Sequence, residues 1–556
     1  MESPSVDEAR QLAERARAAA PILAEFSQER IDAIVDRMAE AARGRAEEFA
    51  RLAVEETGFG VVADKIQKNL FSSDRVHAFI RPMRTVGVIG RDDARKIVEI
   101  AEPFGVVAAI VPSTNPTSTA IYKILIALKA RCPIVISPHP SAARCITRVA
   151  EVMAEAATAA GAPAGSISWM SQVTLEGTEA LMKHRAVAVI LATGGMGLVR
   201  AAYSAGKPAY GVGPGNAPCY IERSADVPKA VADIVIGKCF DNGVLCSSPN
   251  SVVVDRSIAD EVKREFIRRG AHFLTPREAE ALASKLVTPQ RLPNPRLVGK
   301  TALEIAAVAG LEVPPSTRVL IAELAGVGRD YPLSIEKLCP VLSYYVVADW
   351  REGCERCIQI LRYGGMGHTM SIHSRNDDVI LEFGLKKPAF RIVVNTPTTH
   401  GSVGMTTGLD PAMTLGCGGS GGNITSDNIG PRHLLNIKRL AYEVRPVNAP
   451  ATGRALEAGR PASLPRVAAL APTNELDAPT MRQHMPALAT SSGSAANRTD
   501  APAEAQAVAP FVCEADVADA LKAGRKILVG ERTIITPSAR DLGESRRVFV
   551  HYGVRS

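Results

Sequence analysis

Gly105-Val-Val-Ala-Ala-Ile-Val111 is followed by Pro112-Ser113-Thr114-Asn115-Pro116 and then by a helix-like stretch from about Thr117 to Ala130. The first run is apolar throughout, so it reads as a strand covered on both faces. Pro112 and Pro116 bracket a turn, and the helix starts directly behind it. The pattern then repeats. Strand Ile134-Val-Ile-Ser137 leads through Pro138-His139-Pro140 into a helix ending near Ala160. Strand Val187-Ala-Val-Ile-Leu-Ala192 leads through Thr193-Gly194-Gly195 into another. Strands alternating with helices predict an α/β fold built on a largely parallel, doubly wound sheet. In such sheets ligands bind beyond the carboxyl ends of the strands, which is where these three turns fall.

Outward from this core, residues from about 6 to 82 read as helices and Ile97-Val-Glu-Ile-Ala-Glu102 as a further strand. Strand Ser251-Val-Val-Val-Asp255 opens a second series of strands and helices that runs to about 415. The expected organisation is a first α/β domain with its N-terminal helices over 1–240, a second over 241–415, and a return segment over 416–443. Residues 444–509 are dominated by Ala, Pro, Ser, Thr and Asn without any period, the composition of a disordered linker. From 510 to 556 a pattern returns: a helix near Glu514–Ala523, a strand at Thr533-Ile-Ile-Thr536, a turn or helix start at Pro537, and a last strand, Arg547-Val-Phe-Val-His551. So short a segment builds little core alone and is expected to dock on something.

With 556 residues the chain is too long for one core. Hydrophobic residues make up 46% and charged residues 22%, the balance of a soluble globular enzyme. The net charge of +7 is spread without a Lys/Arg block, which is a weak argument for nucleic acid at best and suits an anionic small molecule equally well. No run approaches the ~18 apolar residues of a membrane span. The start, Met1-Glu2-Ser3-Pro4, carries no charged-then-apolar export signal, so a cytoplasmic location is expected. The ten cysteines lack framework spacing and read as free thiols. Cys354 and Cys357 form a C-x-x-C pair, but their surroundings read as an amphipathic helix, and no His/Asp/Glu cluster has metal spacing.

Three segments carry chemistry. Asp241-Asn-Gly-Val-Leu-Cys246-Ser-Ser248 sets one cysteine among small and polar residues, as a reachable nucleophilic thiol requires; a packed core cysteine fits the same segment. Ser113-Thr114-Asn115-Pro116-Thr117 opens a helix, so free backbone N–H groups there suit a phosphate or a nucleotide amide. Asn115 is either a cap residue or a side-chain donor to an oxyanion. Thr193-Gly-Gly-Met-Gly197 lacks the full G-x-G-x-x-G pattern but allows backbone to approach a ligand at a strand end.

Seven ordered blocks extend this picture: Val111-Pro-Ser-Thr-Asn-Pro-Thr117, Ser137-Pro-His-Pro140, Leu191-Ala-Thr-Gly-Gly195, Gly211-Val-Gly-Pro-Gly-Asn216, Phe240-Asp-Asn-Gly-Val-Leu-Cys246, Tyr363-Gly-Gly-Met-Gly-His368 and Thr414-Leu-Gly-Cys-Gly418. Over about residues 20–442 the chain resembles the CoA-acylating branch of the aldehyde dehydrogenase superfamily. It is similar to the aldehyde half of bifunctional aldehyde/alcohol dehydrogenases and to acylating sulfoacetaldehyde dehydrogenases. The resemblance implies a dinucleotide-binding domain over 1–240, a catalytic domain over 241–415 and an oligomerisation arm over 416–443. It makes Cys246 the nucleophile, Asn115 the oxyanion-hole residue and Glu336 the holder of the nicotinamide ribose. His139 falls at the adenine ribose, with Gly195 and Gly213 lining the dinucleotide beside Ser113, Thr114, Pro116 and Thr117. The implied cofactor is NAD, with NADP equally open, and CoA is the cosubstrate.

One departure is informative. Hydrolytic relatives carry a glutamate near the position of Val212, about 34 residues before the cysteine, to activate the deacylating water. A valine accepts no proton, so a thiol becomes the way to clear the acyl-enzyme. His368 is either the base for Cys246 or CoA, or a structural histidine held by its loop. Two rival functions share the fold, a hydrolytic aldehyde dehydrogenase and an acyl-phosphate reductase; a third is a catalytically silent scaffold or cargo adaptor. Gly530-Glu-Arg-Thr-Ile-Ile-Thr-Pro-Ser-Ala-Arg-Asp-Leu-Gly543 resembles short elements of bacterial microcompartment proteins, which implies a docking or targeting tail and a location inside such a shell; the alternative is an extension that packs on its own subunit or a neighbour. A homo-oligomer, dimer or tetramer, is expected.

Overall fold

Val106–Val111 is buried at every position, as its unbroken apolar run requires. It is the central strand of a five-stranded parallel sheet with the order Ile167–Trp169, Ile134–Pro138, Val106–Val111, Val187–Thr193, Ala209–Val212. The chain leaves Val106–Val111 in one direction and returns on its other side, pairing Ala109 with Leu191 and Ile110 with Ala192. The crevice at this reversal lies between the turns after Val111 and Thr193, as a doubly wound sheet dictates. From the Pro116–Lys129 helix, the ammonium of Lys123 donates to the carbonyls of Ile110 (2.8 Å) and Leu191 (2.9 Å), joining both strands at their carboxyl ends.

The computed structural model describes residues 3–445, 447, 511–512, 514–530, 533–535 and 537–551. Apart from 444, 445 and 447, the expected linker lies outside the described residues. The chain divides into two compact units, 1–476 and 477–556.

A second parallel sheet has seven strands, ordered Ala271–Leu274, Val319–Glu323, Val341–Val347, Pro249–Asp255, Ala217–Ile221, Met370–His373, Ile392–Val394. Residues expected on the first side of the 240/241 boundary thus contribute to the second sheet. Ala217–Ile221 pairs with Pro249–Asp255, and the Val227–Cys239 helix packs Val231, Ile234 and Val235 against Val252, Val254 and Ile321. Ala-Pro-Cys-Tyr-Ile is a weak strand signal because of its proline, which hid this strand in the sequence. The segment after 416 returns to the first half of the chain. Leu435–Ala441 pairs antiparallel with Ile97–Pro103, which pairs with Gly87–Asp92.

The N-terminal region is helical, as its periodicity predicts, with Pro4–Ala24, Gln28–Gly44, Ala46–Thr57 and Val62–Leu70 in sequence. Ile31, Ile34, Val35 and Met38 join the core that includes Ile121, Leu125 and Val149. Cys354 and Cys357 lie buried on the Trp350–Tyr363 helix, the amphipathic helix expected there. Among the described residues no helix is long and apolar enough to cross a membrane.

The C-terminal unit is two strand–helix–strand halves. Phe511–Val512, Glu514–Lys522 and Ile527–Val529 form the first, and Ile534–Ile535, Pro537–Ser545 and Phe549–His551 the second. Phe511–Val512 pairs parallel with Ile534–Ile535, and Ile527–Val529 with Phe549–His551. Val512, Val517, Ala520, Val529, Ala539 and Val548 give it a small core of its own. The strand Ile527–Val529 was not legible in the sequence, being three residues behind a run of Arg and Lys.

Candidate active site

Delivery of Cys246 begins where the Val227–Cys239 helix ends. Asp241, Asn242 and Gly243 all take left-handed backbone conformations, with φ of 49°, 52° and 74°. Asp and Asn tolerate that region better than other side chains, and Gly243 has no room for one. A Cβ there would lie 3.0 Å from the Lys238 carbonyl oxygen and 3.2 Å from the backbone of Cys339. The turn sends the chain back toward the first sheet and leaves Cys246 half-buried. Gly215 passes directly against it. A Cβ on Gly215 would lie 2.1 Å from the Cys246 carbonyl oxygen and 3.2 Å from the His368 ring.

A cleft of about 740 Å³ opens at the crevice of the first sheet and ends at Cys246. Its wall includes Ser113, Thr114, Asn115, His139, Gly195, Gly213, Glu336 and Val212. Eight of the expected site residues, spread from 113 to 336, thus converge on one cavity. Three do not. Pro116 and Thr117 begin the Pro116–Lys129 helix with their side chains buried, and the Thr117 hydroxyl donates to Asn69 Oδ1 at 2.8 Å. Their expected place on the cofactor surface is corrected to one behind it, because the first helical turn points them into the core. His368 is fully buried and does not line the cleft. Its Nδ1 bonds Thr369 Oγ1 at 2.9 Å, while Nε2 is without a partner among the described residues.

Asn115 heads the helix without capping it by its side chain. Its Oδ1 accepts from Lys68 Nζ at 2.7 Å. Its Nδ2 has two longer contacts, to Thr114 Oγ1 at 3.2 Å and to the Val244 carbonyl at 3.5 Å. The capping alternative therefore does not hold for this side chain. Glu336 Oε1 accepts from the Gly215 N–H at 2.9 Å, and burial pushes its carboxyl up to about 8 against that bond and the nearby Lys238 and Lys337. Exposed His139 caps the short turn after it, its Nδ1 accepting from Ser141 N at 3.1 Å.

Electrostatics at the cysteine are mixed. Burial pushes the Cys246 thiol up to about 12, Glu336 adds to this, and Arg391 opposes it. Burial and then Arg391 push His368 down to about 3, so it is neutral near pH 7. Arg391, whose place could not be read from spacing, is buried behind the site and donates to the Ser426 carbonyl at 2.9 Å. Arg439 lies far from this, on the surface strand Leu435–Ala441, paired with Glu99 at 3.0 Å.

Sequence reasoning missed Lys68, Asp241 and Gly215. The available signal was Lys65 and Lys68 at i,i+3 in a short helix, both of which are buried. Both bond Asp241, Lys65 Nζ at 3.0 Å. Burial pushes the Lys68 ammonium down to about 8 against the pull of Asp241.

A cysteine at the end of a nucleotide-sized cleft between two parallel sheets, with an asparagine donor beside it, defines the class. The chain belongs to the aldehyde dehydrogenase family, whose pattern matches residues 2–279. It is 42% identical over 442 residues to the bifunctional aldehyde-alcohol dehydrogenase of Escherichia coli (strain K12), which covers 79% of this chain and 50% of that protein. The chain thus spans about half the length of the curated relatives it matches. The crystal structure of an acetylating aldehyde dehydrogenase from Geobacillus thermoglucosidasius is 50% identical with a TM-score of 0.78, over 80% of this chain and 98% of that one. A propionaldehyde dehydrogenase from the Clostridium phytofermentans fucose utilisation bacterial microcompartment is 27% identical with a TM-score of 0.71, over 78% and 97%.

Proposed function

We propose that the chain is a CoA-acylating aldehyde dehydrogenase that oxidises a short or substituted aldehyde with NAD(P) and passes the acyl group to CoA. The observation that carries this is Val212 on the cleft wall with Cys246 and Asn115. Where a water-activating carboxylate would be needed, the side chain is a buried valine, and the Glu336 carboxyl in the cleft, which accepts from the Gly215 N–H, is pushed up to about 8 and is mainly protonated near pH 7. The acetylating relative, 50% identical, supports the same acceptor.

The cleft suits a dinucleotide. The Met196–Tyr203 helix starts there behind Gly195 with no side-chain cap, leaving first-turn N–H groups for a pyrophosphate. Glu336 is placed to hold the nicotinamide ribose and His139 the adenine ribose. When bound, NAD(P) supplies the hydride acceptor. The Cys246 thiolate attacks the aldehyde carbon, forming an S–C bond and an oxyanion that Asn115 Nδ2 and the Cys246 N–H stabilise. Loss of hydride from that carbon leaves a thioester on Cys246. The CoA thiolate then forms its own bond to the acyl carbon, the Cys246 S–C bond breaks, and acyl-CoA and the free thiolate result. NADH formation is expected to continue past one equivalent per site only when CoA is present. Sustained turnover with water alone would sink the acylating reading and favour the hydrolytic one.

We assign His368 the CoA thiol proton; burial and Arg391 hold its imidazole down to about 3 here, too low to take a proton at pH 7, so the role requires CoA binding to bring it back toward its ordinary range. His368→Asn is expected to lower steady-state turnover about 10²-fold, the scale of a lost general base. The first-turnover burst of NADH should be unchanged; a burst that falls equally removes this role.

We also propose a homo-oligomer, dimer or tetramer, through the 416–443 arm, whose last strand exposes Lys438, Arg439, Leu440 and Ala441. The terminal unit we read as a docking element for a microcompartment shell or its cargo, supported by the microcompartment origin of one structural relative.

A further inference from the structure

We propose that Lys68 is a positioning residue for the oxyanion donor: its ammonium fixes the Asn115 amide with Nδ2 facing the reacting centre, and Asp241 fixes the ammonium. This rests on the reading of Asn115 as the oxyanion-hole residue.

The geometry carries it. An ammonium has only donors, so the atom of Asn115 that lies 2.7 Å from Lys68 Nζ must be Oδ1. The NH₂ end is then turned the other way, toward Val244, two residues before Cys246. Its two contacts there, at 3.2 Å and 3.5 Å, are long enough to leave a donor for a developing oxyanion. A cation on Oδ1 also draws charge through the amide and makes Nδ2–H a better donor. Lys68 itself is buried, and its second bond is to Asp241, the residue that starts the left-handed turn ahead of Cys246.

Asp241 is a hub. Its Oδ1 accepts from Val61 N at 2.7 Å, its own N–H donates to Asp64 Oδ2 at 2.7 Å, and Lys65 bonds its Oδ2. Lys65 also reaches the Thr114 carbonyl at 3.4 Å. Two lysines of one helix thus tie the loop of the oxyanion donor to the loop of the nucleophile. A bare packing role would not need the ammonium at Oδ1; any apolar side chain fills space.

The test is a double-mutant cycle in the full chain, measured as NADH formation from aldehyde, NAD and CoA. Lys68→Met is expected to lower kcat about 10- to 100-fold with little change in KM, and Asn115→Ala about 10²- to 10³-fold. Added to Asn115→Ala, Lys68→Met should cost less than about another factor of two, since its effect runs through the missing amide. Losses that multiply overturn the proposal. Iodoacetamide labelling of Cys246 and the thermal midpoint are measured on the same proteins; if both fall in step with kcat, Lys68 acts only through the cysteine loop and the proposal fails. Because Lys68→Met leaves Asp241 with one lysine, Lys68→Met/Asp241→Asn is assayed beside it. It should show the same kcat loss, and recovered activity overturns the assignment. A wild-type protein that gives an NADH burst but no CoA-dependent turnover fails the acylating reading, while the burst rate still reads out Lys68.

Discussion

Cys246→Ala is expected to remove NADH formation from aldehyde, CoA and NAD(P) by a factor on the order of 10⁵ or more, the scale seen when a covalent nucleophile is deleted. Its setting makes the expectation specific. The chain holds nine described free cysteines, and seven of these, Cys132, Cys145, Cys219, Cys339, Cys354, Cys357 and Cys417, are buried. Cys239 is the other partly exposed one but lies outside the cleft. Alkylation by iodoacetamide, mapped to Cys246 by mass spectrometry, is expected to follow the loss of activity. In the cofactor-free protein burial holds that thiol near 12, so the thiolate fraction grows with pH throughout the neutral and alkaline range. Alkylation should rise about tenfold per pH unit from 7 to 10 without a plateau. Cys246→Ala with full activity would remove the central assignment; a plateau near pH 8 would show that the thiol is activated before cofactor binds.

Gly215→Ala is expected to be strongly damaging although the residue carries no side chain. The new methyl would lie 2.1 Å from the carbonyl oxygen of Cys246, where backbone cannot yield as a flexible side chain does. Restoring ordinary contact requires about 1 Å of movement at the nucleophile, which alone costs on the order of 10² in rate. Gly215 also holds Glu336 by its N–H and packs against His368, so the shift spreads to both. A loss of about 10³-fold in kcat/KM follows, with the thermal midpoint lowered by a few degrees. Wild-type kinetics in this variant would mean that the two loops separate freely.

Three of the five strands of the first sheet were legible because they are apolar runs that lead into Pro- or Gly-marked turns, and the crevice followed from their alternation with helices; Ile167–Trp169 and Ala209–Val212, three and four residues long, were not read. The second sheet was read too late by one strand, since Ala217–Ile221 is short and contains Pro218, and its partner strands come from distant sequence. Site legibility divides in the same way. Cys246, Asn115 and Glu336 stand in local motifs that any pass along the chain can isolate. Lys68 and Asp241 stand 173 residues apart, and their value lies in a buried contact that no spacing rule announces. Pro116 and Thr117 belonged to the right motif but fell on the wrong side of the helix start, a matter of one turn. Gly215 was visible only as one glycine among several; the carbonyl oxygen it abuts gives it meaning.

The pairing of the C-terminal unit has a consequence for how it assembles. Neither half closes on itself, because each described strand of the first half finds its partner in the second. Strands of two and three residues paired only across the halves give neither half a sheet of its own, so a single shared unfolding transition is the expected result for this unit.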